Sequence, residues 1–254
     1  MSNLPDHQTP PTARQNEIYV TPNLPLPYVT DQQALESLCH TLRQSPRLAL
    51  DTEFVGEDTF VPRLELIQVA TATTAAVIDF PAVQASGSLD VFWELICETK
   101  IEKIFHAGRQ DLDLFAIHAG QIPKPFFDTQ IAAAMVGYGA QIAYANLVQR
   151  LLGTRLAKAH TFTNWSARPL SDGQIAYALE DVEFLLSIHT HLQDRLRTLG
   201  RLEWVSEEFA RLETAVGEKS REPQERYQRI RGWDTLKPKG AAVLRELAAW
   251  REAE

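Results

Sequence analysis

The spacing of apolar and polar positions predicts alternating helices and strands from residue 30 onward. Apolar residues recur at helical intervals in 34–42, 88–99, 110–119, 129–136, 144–152, 171–199 and 202–215. Short apolar runs typical of strands occupy 48–54, 64–70, 75–80, 101–105 and 126–129. This mixture of elements predicts an α/β fold.

The lengths of the connections indicate how these elements pair. Three strands within residues 48–80 are joined by short segments, one of them the candidate hairpin turn 71–74, and we expect them to be antiparallel neighbours. The strand at 101–105 follows a helix and is expected to pair in parallel. Capping boxes beginning at Thr30 and Ser171 predict the starts of two helices.

Composition divides the chain into four parts. Residues 1–27 are rich in proline and polar residues without periodicity, which predicts a mobile tail. Residues 28–215 are predicted to form one domain. The charged stretch 216–225 is predicted to be a linker. Residues 226–254 are too few to bury a core alone, so they should pack on the main domain or begin something longer.

The overall charge narrows the choice of partners. A formal net charge of −8 argues against a generally basic nucleic-acid binder, although a nucleic-acid enzyme needs only a local basic patch.

Cys39 and Cys97 show no pairing pattern, so reduced thiols are expected. Neither a signal peptide nor a membrane-length apolar run is apparent. We therefore expect a cytoplasmic protein without a membrane partner.

One long stretch of this acidic chain contains no acid. Residues 129–171 contain neither Asp nor Glu, and aromatic residues are interleaved with the basic ones. Its basic side chains are Arg150, Arg155, Lys158 and Arg168. The stretch is a candidate phosphate-facing surface on which bases stack. The alternative is a polar loop that lacks acids by chance.

Two carboxylates lie within the apolar strand at 48–54. Asp51 and Glu53 are two residues apart, which places them on one face with Cα atoms roughly 6.6 Å apart. Two such charges on a buried strand are costly without a cation, and oxygen ligands suit Mg²⁺ or Mn²⁺. A strand end with two solvated acids is the alternative.

Three further residues are candidates for the same chemistry. Asp111 falls in the first helical turn after a buried strand, where open α/β sheets place ligand sites. It could equally be an acid that only stabilises the helix N-terminus. Tyr177 and Asp181 are four residues apart and share a helix face, which an ordinary surface pair would also do.

Taken in order, these segments resemble the three motifs of the DEDD exonuclease superfamily. The segments are 51–53, 106–112 and 177–182, and the tyrosine four residues before the last aspartate matches the DEDDy branch. The closest resemblance is to the ribonuclease D family, whose connecting segments are similar to 66–68, 127–130 and 165–171. The resemblance covers residues 28–215, and it is specific because all three motifs occur in order.

The resemblance implies a ribonuclease H-like fold, with a mixed sheet of about five strands flanked by helices. It implies two divalent ions, Mg²⁺ or Mn²⁺, held by Asp51, Glu53, Asp111 and Asp181. Tyr177 would orient or deprotonate the attacking water. Thr52 and Phe54 would hold the terminal nucleotide, and His106 and Arg109 would touch phosphate. Independently of the resemblance, the acid-free stretch adds Arg150, Arg155 and Lys158 as candidate substrate contacts.

The implied activity is metal-dependent 3′–5′ exonuclease action on RNA 3′ ends, releasing nucleoside 5′-monophosphates. Transfer RNA precursors are a candidate substrate, and DNA is an open alternative on the same scaffold. A non-catalytic binding module is a third hypothesis, against which the presence of all four acids and the tyrosine argues. Residues 229–233 and 244–252 resemble the start of a helical HRDC domain, so 226–254 is a short helical extension. A monomer is expected.

Overall fold

The computed structural model of the protein describes residues 28–56, 62–156, 164–217, 227–228 and 230–253. The predicted mobile tail, Lys158 and most of the predicted linker lie outside these residues.

A mixed sheet forms the framework of the described chain. Its six strands are β1 (Tyr28–Val29), β2 (Arg47–Val55), β3 (Arg63–Ala70), β4 (Ala75–Asp79), β5 (Glu102–Phe105) and β6 (Phe126–Asp128). The order across the sheet is β1-β4-β3-β2-β5-β6. β2, β3 and β4 are antiparallel neighbours, whereas β5 pairs in parallel with β2 and with β6. The predicted antiparallel run and the predicted parallel strand are both confirmed.

The sheet has one strand more than the expected five. The additional strand is β1, which pairs in parallel with β4 at the edge of the sheet. It is two residues long, and so short a segment carries no readable periodicity.

Ten helices are present in the described part of the chain, together with a 3₁₀ turn at Trp233–Thr235. They are α1 (Gln32–Leu42), α2 (Phe80–Ser86), α3 (Asp90–Cys97), α4 (Arg109–Ala119), α5 (Thr129–Met135), α6 (Tyr144–Leu152), α7 (Asp172–Glu183), α8 (Leu185–Thr198), α9 (Leu202–Gly217) and α10 (Pro238–Ala253). No helix among the described residues is both long and apolar enough to cross a membrane.

Helices cover both faces of the sheet. Leu48 and Leu50 of β2 point into a core built with α1 to α4, whereas Ala49 points into a core built with α5, α6 and α8. A third cluster packs α7 against Leu66 of β3 and Val77 of β4. The alternation along β2 therefore assigns Asp51 to the face that α7 and α8 cover.

Some predicted boundaries were wrong. The N-cap of α1 is Asp31 and not Thr30, because the Asp31 side chain accepts the N–H of Ala34 at 2.9 Å. The single helix predicted for 171–199 is divided at Phe184 into α7 and α8. α2 was not predicted; Asp79 caps it by accepting the N–H of Ala82. The second capping box, at Ser171, is confirmed.

The C-terminal part of the chain is helical, as expected for an extension. α9 continues to Gly217, so the predicted linker 216–225 begins inside a helix. α10 buries Ala248 but leaves Val243, Leu247 and Trp250 exposed. The division into domain, linker and extension stays a prediction.

An ion-pair network ties the segment after residue 164 to the sheet. The Arg168 guanidinium donates to both carboxylate oxygens of Asp79, at 2.5 and 3.1 Å. It also donates to the Trp165 carbonyl, and Tyr28 donates its hydroxyl to Asp79. Burial alone would raise the pKa of Asp79, but the hydrogen bonds from Arg168 and Tyr28 lower it. Arg168 was predicted to face phosphate; in the structure it neutralises a buried carboxylate instead.

We expect Arg168→Met to destabilise the protein by about 3 kcal/mol at pH 7, because Asp79 would be left buried and charged. Urea unfolding of both proteins measures the difference. The pKa of Asp79 is lowered in the folded state, so the stabilisation is present above about pH 4 and lost at lower pH. Arg155→Met, at an exposed arginine, is the control and should change stability by less than about 0.5 kcal/mol. Equal losses in the two variants would contradict the role of the Asp79 pair.

Candidate active site

The central strand β2 supplies the first two acids. Asp51 pairs in register with Gln68 of β3 and Glu53 with Leu66, so both acids lie on the face that α7 covers. The register shifts between Glu53 and Phe54, where the regular pairing with β3 is interrupted. Thr52 points to the opposite face, as the two-residue repeat of a strand predicts.

The third acid is positioned by a tight turn between β5 and α4. A Cβ on Gly108 would lie 2.4 Å from the Cβ of Phe105, so this position of the turn has space only for glycine. Ala107, next to it, has a φ of 56°, a conformation that costs energy for a residue other than glycine. The turn starts α4 directly at the end of β5 and places Asp111 in the first turn of the helix.

Asp128 holds this turn in place from the neighbouring strand. Its carboxylate accepts the N–H groups of Gly108 at 2.8 Å and Ala107 at 3.3 Å. The same carboxylate accepts the N–H groups of Gln130 and Ile131 and so caps α5. One buried carboxylate therefore fixes the starts of two helices.

Thr52 connects the strand to the third acid. Its hydroxyl donates to the Asp111 carboxylate at 2.5 Å, and both residues are buried. The predicted contact of Thr52 with a terminal nucleotide is untested, whereas its contact with Asp111 is observed. Through this hydrogen bond, the central strand β2 is joined to the first turn of α4.

α7 carries the remaining two candidates. Tyr177 and Asp181 lie one turn apart, and the charge of Asp181 acts on both Asp51 and Glu53. The Tyr177 ring is stacked against Trp165, with ring centroids 6.3 Å apart and planes 25° apart. Arg168 holds the Trp165 carbonyl, so the ion-pair network described above also supports the position of Tyr177.

The electrostatics show that the four acids form one cluster. Burial and the charges of Asp111, Asp181 and Glu53 raise the pKa of Asp51 well above its usual value. Burial, Asp181 and Asp111 likewise raise the pKa of Glu53 to about 8. Burial is the main cause that raises the pKa of Asp111 to about 6 and that of Asp181 to about 7. Such a cluster of mutually repelling carboxylates is stabilised by a cation.

The donor set fits a hard divalent ion, because all four candidate ligands are carboxylates. In the ranges that the structure describes, no group of three or more Asp, Glu, His or Cys side chains is arranged so that it could hold a metal ion. The carboxylates therefore interact electrostatically without enclosing a site. Metal binding by these four acids stays a prediction.

The two residues that were predicted to contact phosphate have hydrogen-bond partners within the protein. The ring nitrogens of His106 lie 2.9 Å from the Thr129 hydroxyl and 3.0 Å from the Ile142 carbonyl. Burial lowers the pKa of His106, which favours a neutral ring. Arg109 donates to the Ala215 carbonyl at 2.9 Å and lies 3.7 Å from Asp113. Phosphate binding by either residue stays a prediction.

The other predicted substrate residues are dispersed. Phe54 is half-buried and packs against the core on the α1–α4 side. Arg150, at the end of α6, and Arg155, after it, are exposed. Lys158 lies outside the described residues.

Sequence reasoning missed two residues that organise the site. Asp128 was noted only as part of a connecting segment, although an aspartate directly before a helix is a recognisable N-cap signal. Tyr144 was assigned only to a helix. Its hydroxyl donates to the Glu180 carbonyl at 3.1 Å and accepts the N–H of Phe184 at 3.2 Å, which joins α6 to the end of α7. No local pattern signals that contact.

Comparisons with known proteins show the family to which the chain belongs. Residues 26–197 match the family described as 3′–5′ exonuclease. Ribonuclease D of Granulibacter bethesdensis is 42% identical over 231 residues, covering 89% of this chain and 56% of the relative. Ribonuclease D of Acidiphilium cryptum is 41% identical over 241 residues, covering 92% of this chain and 59% of the relative. The chain thus spans little more than half the length of these relatives.

Solved structures of related nucleases have a similar fold. The crystal structure of Escherichia coli RNase D, described as an exoribonuclease involved in structured RNA processing, superposes with a TM-score of 0.83 at 32% identity. The match covers 91% of this chain and 60% of that one. Brucella melitensis NrnC with bound Mg²⁺ superposes with a TM-score of 0.63 at 27% identity, covering 76% and 91% of the two chains. The chain belongs to the 3′–5′ exonuclease family, and its fold is that of the ribonuclease D group.

Proposed function

We propose that this chain is a metal-dependent 3′–5′ exoribonuclease that releases nucleoside 5′-monophosphates from RNA 3′ ends. The observation that carries the proposal is the electrostatic cluster of four carboxylates, contributed by β2, α4 and α7. Tyr177 lies one helical turn from the last of them. The similarity to ribonuclease D supports RNA as the substrate class.

Asp51, Glu53, Asp111 and Asp181 would hold two divalent ions, Mg²⁺ or Mn²⁺. When bound, such ions acidify a water molecule and stabilise the negative charge on the leaving 3′ oxygen. The related structure with bound Mg²⁺ supports the choice of metal.

Tyr177 would position the attacking water and not deprotonate it. Burial and the charges of Asp181, Glu53 and Asp51 raise its pKa above the usual value near 10. At neutral pH the phenol therefore keeps its proton and acts as a hydrogen-bonding group. Its stacking against Trp165 fixes the direction of the hydroxyl.

A groove beside α6 supports a path for the RNA strand. It has a volume of about 520 Å³, and its lining includes Tyr138, Asn146, Gln149 and Arg150 but no acid. An aromatic ring, amides and a cation together suit stacking, base contacts and phosphate binding. Ile142 also lines the groove and accepts a hydrogen bond from His106, so the groove adjoins the turn that places Asp111.

Transfer RNA precursors are the natural substrate that we propose, and DNA is the competing one. The cytoplasm is the proposed compartment, in agreement with the free thiols of Cys39 and Cys97.

Asp51→Asn should lower turnover at least about a thousandfold, because an amide is a poorer ligand than a carboxylate for a divalent ion. The measurement is the shortening of a 5′-labelled single-stranded RNA with Mn²⁺, Mg²⁺ or EDTA, beside DNA of the same sequence. Asp172→Asn, at an exposed acid in the first turn of α7, is the matched control and should keep full activity. Equal shortening of RNA and DNA would indicate a general exonuclease. Binding of RNA without any shortening would indicate a non-catalytic module.

Tyr177→Phe should lower kcat by roughly 10- to 100-fold and leave Mn²⁺ binding unchanged, because the ring and its stacking are kept while the hydroxyl is lost. Single-turnover rates and calorimetric Mn²⁺ titrations of the two proteins give the comparison. A wild-type rate would remove the hydroxyl from the mechanism.

Replacing Arg150 and Arg155 by Ala should raise KM and make its logarithm less dependent on the logarithm of salt concentration. The slope should fall by about 1.4, at about 0.7 for each lost contact with a single strand. Arg195 and Arg197, exposed on α8, form a control pair whose replacement should leave the slope unchanged. Equal slopes for both pairs would exclude the α6 region from substrate binding. Lys158 can be added to the first pair as a third charge.

A further inference from the structure

Gln68 lies beside Asp51 in the sheet. The two residues are direct partners in the antiparallel pair of β2 and β3. Directly opposed residues of such a pair project to the same face, so the Gln68 side chain shares the face of Asp51 and Glu53. On its other side, Gln68 is paired with Val77 of β4.

The Gln68 side chain is completely buried beneath α7. It has no exposed surface, and its neighbour Val77 packs with Trp165, Ile175 and Ala178. α7 lies over β2, β3 and β4 at this point. The carboxamide is therefore enclosed between an apolar cluster and the acids.

Neither polar atom of this carboxamide has a hydrogen-bond partner among the described residues. A buried polar group without a partner costs free energy, and such groups are rare in folded proteins. An apolar side chain of similar volume, such as Met, would fill the same space without that cost. The amide therefore needs a partner that the described residues do not supply, and Asp51 is the charged group beside it.

We propose that Gln68 is a positioning residue for the divalent ion that Asp51 would bind. This proposal rests on the metal site of the proposed function. The Gln68 carboxamide holds a water molecule of the ion's coordination sphere against the Asp51 carboxylate. Mg²⁺ in proteins usually keeps several of its waters, and an amide can both donate to and accept from a water. Groups that orient the ligands of a metal typically contribute 10- to 100-fold to its affinity.

The test compares Gln68→Met and Gln68→Leu with the wild type in two measurements that need no RNA. Calorimetric titration should show a Kd for Mn²⁺ raised by about 10- to 100-fold in both variants. Urea unfolding of the metal-free proteins should show Gln68→Met at least as stable as the wild type, because the unpartnered amide is gone. Gln44→Met, at an exposed position after α1, is the control and should change neither value.

Activity assays of the same variants distinguish a positioning role of Gln68 from a purely structural one. If Gln68 acts through the ion, the activity that Gln68→Met loses at low Mn²⁺ should return at high Mn²⁺. An unchanged Kd in both Gln68 variants overturns the proposal, whatever their stability. Asp51→Asn distinguishes this failure from a failure of the proposed function. If Asp51→Asn binds Mn²⁺ as the wild type does, the metal site itself is wrong; if it does not bind while the Gln68 variants do, only the role of Gln68 is wrong.

Discussion

Four carboxylates that repel one another are held close together beside the central strand β2, and the surrounding structure must resist that repulsion. They come from three elements, so no single helix or strand can bring them together. β2 lies between an antiparallel and a parallel neighbour and cannot shift without breaking both pairings. Asp128 fixes the turn before Asp111, and Thr52 joins Asp111 to β2. Trp165 and the Arg168 network support α7 from the other side.

Three other buried charged groups in the described chain are paired or hydrogen-bonded nearby, and this contrast supports the proposed cation site. Asp79 is paired with Arg168, and Asp128 accepts four backbone N–H groups. Lys103 is fully buried and donates to the carbonyls of Glu98, Ile101 and Lys124. Compensation of this kind is the usual condition for burying a charge. For Asp51 and Glu53, in contrast, burial and the charges of other acids raise the pKa.

Local periodicity was enough to predict most of the fold and the arrangement of the acids within each element. The two-residue repeat correctly placed Asp51 and Glu53 on one face, and the helical repeat placed Tyr177 one turn from Asp181. Tertiary partners were beyond such reasoning. In the sequence, Arg168 and Arg150 are both basic residues of the acid-free stretch, and nothing distinguishes them. In the structure, Arg168 is paired with a carboxylate of β4, whereas Arg150 is exposed. His106 likewise looked like a phosphate ligand until its partners in distant segments were known.

The hydroxyl of Tyr144 occupies the place of one helical hydrogen bond. Phe184 N–H and the Glu180 carbonyl are four residues apart and would bond directly in a continuous helix; here the hydroxyl bridges them. The break between α7 and α8 therefore leaves neither backbone group unpaired. The chain can therefore change direction at residue 184, directly after the helix that carries Asp181, without the free-energy cost of an unpaired backbone group.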